Sequence, residues 1–335
     1  MEINKKRYND LDSYFKRKFK KKILKLPLDG GFTCPNRDGT LSSKGCIYCS
    51  EEGSGEWTQK GSITDQLAYQ KNILSKPGRK EAYMAYLQNF TATYGPIDKL
   101  KRIVKEALAF EGIEGIFIAT RADCLSDEVL DFLADLNKKT FLVVELGMQS
   151  VNEKTISFIN RGYTHKEFDQ GLLKLKKLGI KVLVHIIIGL PWTGLGLPWM
   201  TCPAREDFGQ ASLPRGHHVD YGIEDLGDYL NDIAYINQRS LWGIKIHNLY
   251  VEEGSSLLPY FKKNPYTMTK DAYVEILGHM LRHLDPKVVI NRLSGDGRKD
   301  KIIYPTWAKN KAAILSSLDK YLKENNYKQG DLWKS

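Results

Sequence analysis

Apolar runs rich in β-branched residues alternate along the chain with segments whose apolar residues recur at the helical period. Strand-like runs lie near residues 83–90, 115–120, 140–147, 181–189, 243–250 and 287–292, and helical patterns fill 63–74, 97–110, 127–136, 166–178, 225–236 and 272–284. The strand runs are almost continuously apolar, which is typical of parallel strands covered on both faces. The alternation therefore predicts an α/β fold whose parallel sheet or barrel places its chemistry at the carboxyl ends of the strands.

One segment interrupts this alternation. Residues 192–223 follow a predicted strand, are rich in Gly and Pro and contain no lysine, although lysine is abundant elsewhere. Loops of this length are uncommon inside compact domains and are usually functional or disordered. We interpret the segment as an insertion between a strand and a helix, either a lid or a passive graft on the surface.

The composition is that of a globular protein. Hydrophobic residues make up 42% of the 335 residues and charged residues 27%, which excludes disorder and fibrous repeats. The longest apolar stretch, 182–192, is too short to cross a bilayer and contains His185, and no apolar segment follows the charged start. We therefore expect a cytoplasmic protein without a membrane partner, in which grouped cysteines bind metal or act in catalysis.

Positive charge is concentrated at the two ends of the chain. The formal net charge is +10; residues 1–26 hold ten Lys/Arg against three acidic residues, and residues 298–328 hold eight against three. Tyr8, Tyr14, Phe15 and Phe19 are interleaved with the first cluster. This combination favours a nucleic acid partner, because phosphates release counterions and aromatic faces stack on exposed bases. The alternative is a solvated surface in a lysine-rich protein.

Three cysteines stand together in a Gly-rich stretch. Cys34, Cys46 and Cys49 have the spacing C-x11-C-x2-C, with no histidine between them. Such a loop can wrap a compact inorganic cluster, and three thiolates leave one iron of a [4Fe–4S] cluster open to an exogenous ligand. A zinc site that recruits Cys124 or Cys202 and a disulfide between two of the three are the alternatives.

The cysteine loop resembles the cluster site of radical S-adenosylmethionine (SAM) enzymes. Its spacing departs from the usual C-x3-C-x2-C and is similar to the wider form in a bacterial group related to the catalytic subunit of Elongator. Further matching pieces follow in order at 120–123, 145–150, 160–162, 185–191, 245–247 and 292–297. The resemblance covers residues 20 to 310 apart from the insertion.

The resemblance implies a partial (β/α)6 TIM-like barrel with the cluster loop after its first strand. It divides the chain into a basic N-terminal extension (1–22), a radical SAM core barrel (23–295, including the insertion) and a basic C-terminal helical segment (296–335).

The resemblance also implies a set of cofactor-binding residues. Cys34, Cys46 and Cys49 match the cluster ligands, and the positions matching SAM contacts, to which we add two neighbours, are Gln149, Arg161, His185, Glu145 and Thr120. The Gly-Gly-Glu motif that receives the SAM ammonium is absent; residues 88–94 stand there, and Asn89, Thr91 or Thr93 is the candidate replacement.

Lys245 and His247 alternate with isoleucines and so share one face of their strand. If that face lines the barrel mouth, both are substrate-side candidates; otherwise they are solvent groups. Structural alternatives exist for two cofactor candidates as well. Glu145 can be an interior charge paired with Arg121 or Lys245, and His185 can be a satisfied core histidine.

The function implied by the resemblance is reductive cleavage of SAM by a [4Fe–4S] cluster to a 5′-deoxyadenosyl radical. An electron donor such as flavodoxin or ferredoxin is then required. The implied substrate is the wobble-uridine side chain of tRNA. Two other hypotheses remain: a radical SAM enzyme that acts on a small metabolite or cofactor, and a non-catalytic zinc-bearing RNA-binding protein.

Overall fold

The computed structural model describes residues 6–50, 52–53, 55, 57–191, 224–263 and 268–334. The strands are β1 (Lys22–Leu28), β2 (Glu81–Leu87), β3 (Ile113–Thr120), β4 (Phe141–Gln149), β5 (Lys181–Ile188), β6 (Gly243–Asn248), β7 (Val251–Glu252), β8 (Val289–Arg292) and β9 (Ile302–Tyr304). Within this part of the chain, seven strands form one parallel sheet in the order β1-β2-β3-β4-β5-β6-β8. The short β7 and β9 pair with each other in antiparallel fashion.

Helices connect the strands. They are α1 (Leu11–Phe19), α2 (Ile63–Leu74), α3 (Ile97–Ala109), α4 (Asp127–Lys139), α5 (Glu153–Phe158), α6 (His165–Lys177), α7 (Leu226–Gln238), α8 (Leu258–Lys263), α9 (Lys270–His283) and α10 (Lys311–Glu324). Six β/α units therefore run from β1 to α9, and β8 follows as a seventh strand. Among the described residues, no helix is long and apolar enough to span a membrane.

The sheet curls until its distant strands touch across a lumen. Lys245 on β6 donates to the Tyr86 hydroxyl on β2 over 3.2 Å, and Lys25 on β1 donates to the Asn291 amide oxygen on β8 over 3.4 Å. A flat sheet of this strand order would keep these side chains far apart. The α/β class and the partial (β/α)6 barrel predicted from the sequence are confirmed.

Alternation along each strand separates two cores. On β4, Leu142, Val144 and Leu146 point outward into the large core between the strands and the helices. Phe141 and Val143 point inward, into a smaller core that fills the lumen at the amino ends of the strands. The same alternation carries the next inward position, Glu145, toward the carboxyl end of the lumen.

The pattern of apolar runs did not predict the first strand, β1. β1 pairs in register with β2 from Lys22 opposite Glu81 to Leu28 opposite Leu87. Lys22, Lys25 and Pro27 interrupt its apolar sequence, so it lacks the continuous run that marks the other strands. Its edge position explains the tolerance for Pro27, because one side of an edge strand makes no ladder hydrogen bonds.

The basic N-terminal segment closes the amino end of the lumen. Asp10 caps α1 by accepting from the backbone of Ser13 over 3.2 Å, and a bridge from Asp10 to Ile290 attaches the segment to β8. Phe15 on α1 is 1% exposed and packs edge-on against Phe117 and Phe141. Helix α1 therefore closes the amino end of the lumen. We call Phe15, Phe117 and Phe141 the aromatic plug.

This packing corrects one sequence-based expectation. Tyr8 and Phe15 are buried, and Tyr14 and Phe19 pack against the lumen core. The four aromatic side chains interleaved with the basic cluster therefore stabilise the fold and do not offer faces for stacking on bases. The predicted insertion, 192–223, lies outside the described residues.

Candidate active site at the mouth of the barrel

The three cysteines face one cavity at the carboxyl ends of the strands. Cys34, Cys46 and Cys49 lie in the irregular loop between β1 and α2, and all three line the same cavity as residues from the ends of β2, β3 and β4. A tight turn, closed by Cys49 N–H donating to the Cys46 carbonyl over 3.0 Å, sets the C-x2-C pair. Gly45 before this turn has φ +72°, a backbone region that favours glycine.

The loop is anchored on the connection between α5 and α6. The Asn36 amide donates to the Asn160 carbonyl over 2.6 Å, and the Asn160 amide donates back to the Gly45 carbonyl over 2.8 Å. Gly162 leaves room for Asn36, since a Cβ there would lie 2.9 Å from its Oδ1. The matching piece at 160–162 thus fixes the cysteine loop in place.

Burial favours the protonated thiol at two of the cysteines, Cys46 and Cys49. Burial raises the pKa of Cys46, opposed by the Arg121 charge, and raises the pKa of Cys49 to about 12, opposed by the Arg37 charge. The Asn36 amide is also directed at Cys46 Sγ, 3.5 Å away. Thiols in such surroundings become thiolates when a metal binds and displaces their protons.

The donor set fits an iron–sulfur cluster better than a single ion. Nowhere in the described ranges do three or more His, Cys, Asp or Glu side chains gather closely enough to hold one metal ion. A single zinc ion needs all of its ligand atoms within bonding distance of the same metal, whereas the cysteines of a cubane cluster each bind a different iron. Of the two further cysteines considered as zinc ligands, Cys124 is half-buried and Cys202 lies outside the described residues.

Arg161 presents an unused hydrogen-bond donor to the cavity. Its side chain is buried, with Nη1 donating to the Met148 carbonyl over 2.7 Å and Nε donating to the Tyr163 carbonyl over 3.1 Å. Its Nη2 has no hydrogen-bond partner among the residues that the structure describes, and the residue lines the cavity. A buried guanidinium with a free N–H favours a carboxylate ligand.

Comparison with known proteins identifies the family. The model of the radical SAM superfamily matches residues 34–194, and that of the radical SAM C-terminal domain matches residues 241–324. Uncharacterized protein YtqA of Bacillus subtilis is 35% identical over 330 residues, which cover 97% of this chain and 92% of YtqA. The chain belongs to the radical SAM superfamily. Enzymes of this superfamily use a [4Fe–4S] cluster and SAM.

More distant radical SAM proteins are similar over part of their length. A tRNA-2-methylthio-N(6)-dimethylallyladenosine synthase of Thermotoga petrophila is 28% identical over 153 residues, 44% of this chain and 34% of the synthase. The solved structure of Methanocaldococcus infernus Elp3 matches 92% of this chain with a TM-score of 0.62 at 14% identity, and the chain spans 64% of its length. This structural match confirms the predicted fold. The predicted relation to the Elongator catalytic subunit is confirmed by sequence, since Elongator complex protein 3 of Schizosaccharomyces pombe is 25% identical over 183 residues, 54% of this chain and 28% of that protein.

The cluster, cofactor and substrate-side candidates predicted from the sequence are, with the exception of His247, brought together around one cavity. Cys34, Cys46, Cys49, Thr120, Glu145, Gln149, Arg161, His185 and Lys245 all line it. The local backbone sets the position of the Gln149 side chain, because the residue has φ +60° and the register between β4 and β5 shifts beside it. With its amide oriented to satisfy both ends, Gln149 donates to the Gly147 carbonyl over 2.8 Å and accepts from the Tyr48 hydroxyl over 3.1 Å. It therefore links the cysteine loop to β4.

Glu145 has an ion-pair partner within the radical SAM barrel. Lys245 donates to Glu145 Oε1 over 2.7 Å, and the Tyr86 hydroxyl donates to Oε2 over 2.8 Å. Against the effect of burial, the charges of Lys245 and Lys25 hold the pKa of Glu145 at about 2. Arg121, the other partner considered, pairs with Asp123 over 2.7 Å.

The two histidines, on β5 and β6, form a pair inside the lumen. The rings of His185 and His247 meet edge to face at 4.4 Å. Burial lowers the pKa of His185 to about 3 and lowers that of His247 well below its ordinary value. Lys245 and His247 thus both point into the barrel and are not solvent groups; their role on the substrate side stays a prediction.

The candidates for the SAM ammonium differ in position. Thr91 lines the cavity. The Thr93 hydroxyl instead lies 2.5 Å from that of Thr120, and the Asn89 amide donates to the Thr58 hydroxyl over 3.1 Å.

Sequence reasoning missed several residues that shape the site. Arg37 supports the cysteine turn by donating to the Cys49 carbonyl over 3.1 Å, and Tyr86 and Lys25 join the polar lumen. The place of Tyr48 between Cys46 and Cys49 could have marked it as a site residue. Nothing in the sequence pattern marked Lys25, because its strand was not predicted.

Proposed function

We propose that this chain binds a [4Fe–4S] cluster through Cys34, Cys46 and Cys49 and cleaves SAM reductively. The observation that supports it most is that three half-buried thiols and the free Nη2 of Arg161 share one cavity at the strand ends. When bound, the cluster and SAM together supply an electron and a 5′-deoxyadenosyl radical that abstracts hydrogen from an unreactive C–H bond. A flavodoxin or ferredoxin is the proposed electron donor.

The chain's own side chains have separate tasks in this proposal. Arg161 pairs with the SAM carboxylate, and Thr91 accepts from its ammonium, since it is the one of the three candidates that lines the cavity. Gln149, His185, Glu145 and Thr120 border the same space and orient the nucleoside part of SAM. The aromatic plug at the amino end of the lumen excludes water from below.

We further propose that the substrate is tRNA and that the reaction modifies the wobble-uridine side chain. Support comes from the net charge of +10 and from the tRNA-acting synthase to which the chain is similar. The C-terminal basic segment is the better RNA contact, because it lies beside the cysteine loop: Lys301 pairs with Glu52 over 3.3 Å, and Trp57 donates to the Asp296 carbonyl over 2.7 Å. Trp57 is 50% exposed there and offers a stacking face.

The experiment that tests this function is anaerobic reconstitution with iron, sulfide, SAM and a reductant. We expect 5′-deoxyadenosine to form and its rate to rise when unmodified or hypomodified tRNA is added. No 5′-deoxyadenosine under any condition would refute the cluster assignment. Formation that ignores tRNA but responds to a small-metabolite extract would refute the tRNA assignment and favour the small-molecule alternative.

Two matched double variants locate the RNA contact. Lys299→Gln/Lys301→Gln removes charge beside the site, and Lys16→Gln/Arg17→Gln removes equal charge at the plug end. Each lost phosphate contact lowers the slope of log affinity against log salt by about 0.7–0.9. We expect the first variant to lower the slope of tRNA binding by about 1.5 and the second to leave it unchanged; the reverse result would move the RNA to the opposite end of the barrel.

A further inference from the structure

Above the aromatic plug, the lumen contains a layer of polar side chains. Four of them, Tyr86, Glu145, His185 and Lys245, also form the floor of the cofactor cavity. The members from the strands are Lys25, Tyr86, Glu145, His185, Lys245, His247, Asn291 and Arg292. They come from β1, β2, β4, β5, β6 and β8, so the layer is built around most of the barrel. A barrel needs no such layer for packing, because apolar side chains fill the space at lower cost.

Cations outnumber carboxylates in this layer. In the described part of the lumen, Lys245 pairs with Glu145 over 2.7 Å, and Arg292 lies 3.4 Å from Asp296, which Lys311 also contacts over 3.3 Å. No ion pair there includes Lys25. Burial lowers the pKa of both histidines, so they add no positive charge to the layer at neutral pH.

Lys25 occupies a position suited to an absent anion. Its Nζ lies 4.0 Å from the centre of the Tyr86 ring and 4.3 Å from that of Phe117, and its Asn291 contact is long at 3.4 Å. Two ring faces and one amide oxygen compensate a half-buried ammonium only in part. Burial, opposed by Glu145 and assisted by Lys245 and Arg292, lowers the pKa of Lys25 to about 7.

Other polar atoms of the same layer lack partners. Within the described residues, Asn291 Nδ2, His185 Nε2 and His247 Nε2 are buried without a hydrogen bond, and each histidine nitrogen is a donor in one of the two tautomers of its ring. Native proteins rarely leave several buried polar atoms unsatisfied in one place, so a ligand with acceptor oxygens accounts for them together. Asn291 follows Ile290 on β8, where its amide accepts from Lys25 and its free N–H₂ is available to the same ligand.

We propose that this layer binds an oxyanion carried by the substrate, a carboxylate or a phosphate, with Lys25 as its charged partner and Asn291 as a second donor. The inference rests on the proposed function, since it defines the substrate group that enters beneath the cofactors. Arg161 at the cavity serves the carboxylate of SAM, so the two anions have separate partners.

The test follows Lys25 directly in holoprotein labelled with [13Cε]lysine, with SAM bound and without tRNA. The Lys25 signal is assigned by its loss in Lys25→Met, or in Lys25→Arg if the first variant does not fold. The probes are acetate and inorganic phosphate, with chloride as the control. We expect acetate or phosphate to shift the signal saturably and to raise its titration midpoint by about one pH unit, tenfold in proton affinity, while Lys22 on the opposite face of β1 does not respond.

Each outcome decides between sources or rejects the site. A response to acetate alone assigns a carboxylate, and a response to phosphate alone assigns a phosphate. A Lys25 signal that titrates normally and ignores both anions overturns the inference, even if tRNA stimulates SAM cleavage. An anion response without any tRNA stimulation keeps this site and rejects the tRNA substrate.

Discussion

The two ends of the barrel lumen are lined by the same strands but differ in chemistry. At the amino end, Phe117 and Phe141 pack with Trp242 on the strand side and Phe15 on the plug helix. Toward the carboxyl end, the inward positions are charged or polar, as with Glu145. β4 alone passes from Phe141 to Gln149 in nine residues. One strand therefore serves packing at one end and chemistry at the other.

The side chains that stabilise the fold and those that can bind ligands therefore lie at opposite ends of the lumen. Aromatic burial at the plug end is favourable at roughly 25 cal/mol per Å² of apolar surface. A buried ion pair such as Lys245–Glu145 gains little net stability, because desolvation offsets its attraction. We therefore expect substitutions at the plug end to unfold the protein and substitutions at the mouth to change its ligands.

The largest expected effect is at the mouth. Cys46→Ser removes one cluster ligand, and we expect complete loss of the bound cluster and of SAM cleavage in a folded, colourless protein. Iron and sulfide analysis with circular dichroism measures both properties. Cys124→Ser is the matched control and should keep the cluster; a Cys46→Ser protein that retains full cleavage would contradict the assignment.

The second effect belongs to the plug end. Phe117→Ala empties part of the aromatic cluster and should lower the free energy of unfolding by ~3–5 kcal/mol, as expected for a fully buried phenylalanine. Urea unfolding of the cluster-free protein measures it. At permissive temperature the surviving folded fraction should bind SAM normally, and a specific loss of SAM affinity with unchanged stability would remove the contrast between the two ends.

The third effect tests the free donor of Arg161. Arg161→Lys keeps the charge but removes the planar fork, so we expect SAM affinity to fall about 10- to 100-fold, the value of one or two charge-assisted hydrogen bonds. Equilibrium binding to the reconstituted protein measures it, with iron content as the internal control. Unchanged affinity with a full cluster would show that Nη2 has no role toward SAM.

Elements with a long apolar run or a distinctive cysteine spacing were predicted from the sequence, and elements without such a pattern were missed. Long apolar runs marked six of the parallel strands, and the cysteine spacing marked the loop that faces the cavity. β1 and Lys25 were missed because a charged edge strand has no apolar run. The aromatic residues of α1 were misread because sequence shows that Phe15 is near lysines but not which way it points.

Contacts between distant segments were also beyond the sequence. Glu145 had two plausible partners, and only the curl of the sheet brings Lys245 to it. Likewise, nothing in the local sequence of Asn36 indicates its bond to the Asn160 carbonyl, 124 positions away. These contacts depend on tertiary geometry, which spacing along the chain does not encode.

The smallest expected effect concerns pH and the polar layer. Burial lowers the pKa of His185 to about 3 from its ordinary value of 6.5. Between these values the unfolded chain holds a proton that the folded chain lacks, so stability falls as the pH falls through this window. His185→Asn removes that proton, and the pH slope of the unfolding free energy should decrease by up to about 1.4 kcal/mol per pH unit.

Urea unfolding of the cluster-free protein at pH 7.5, 6 and 5 measures this slope. The window above pH 4.5 is chosen because Glu145, with its pKa held at about 2, contributes a slope of the same sign only below the ordinary carboxyl value. His247→Asn should act alike, since burial and the positive neighbours also lower the pKa of His247. Equal slopes in the wild type and His185→Asn would mean that water reaches the layer and protonates His185 in the folded state, which would weaken the case for a dry, donor-rich lumen above the aromatic plug.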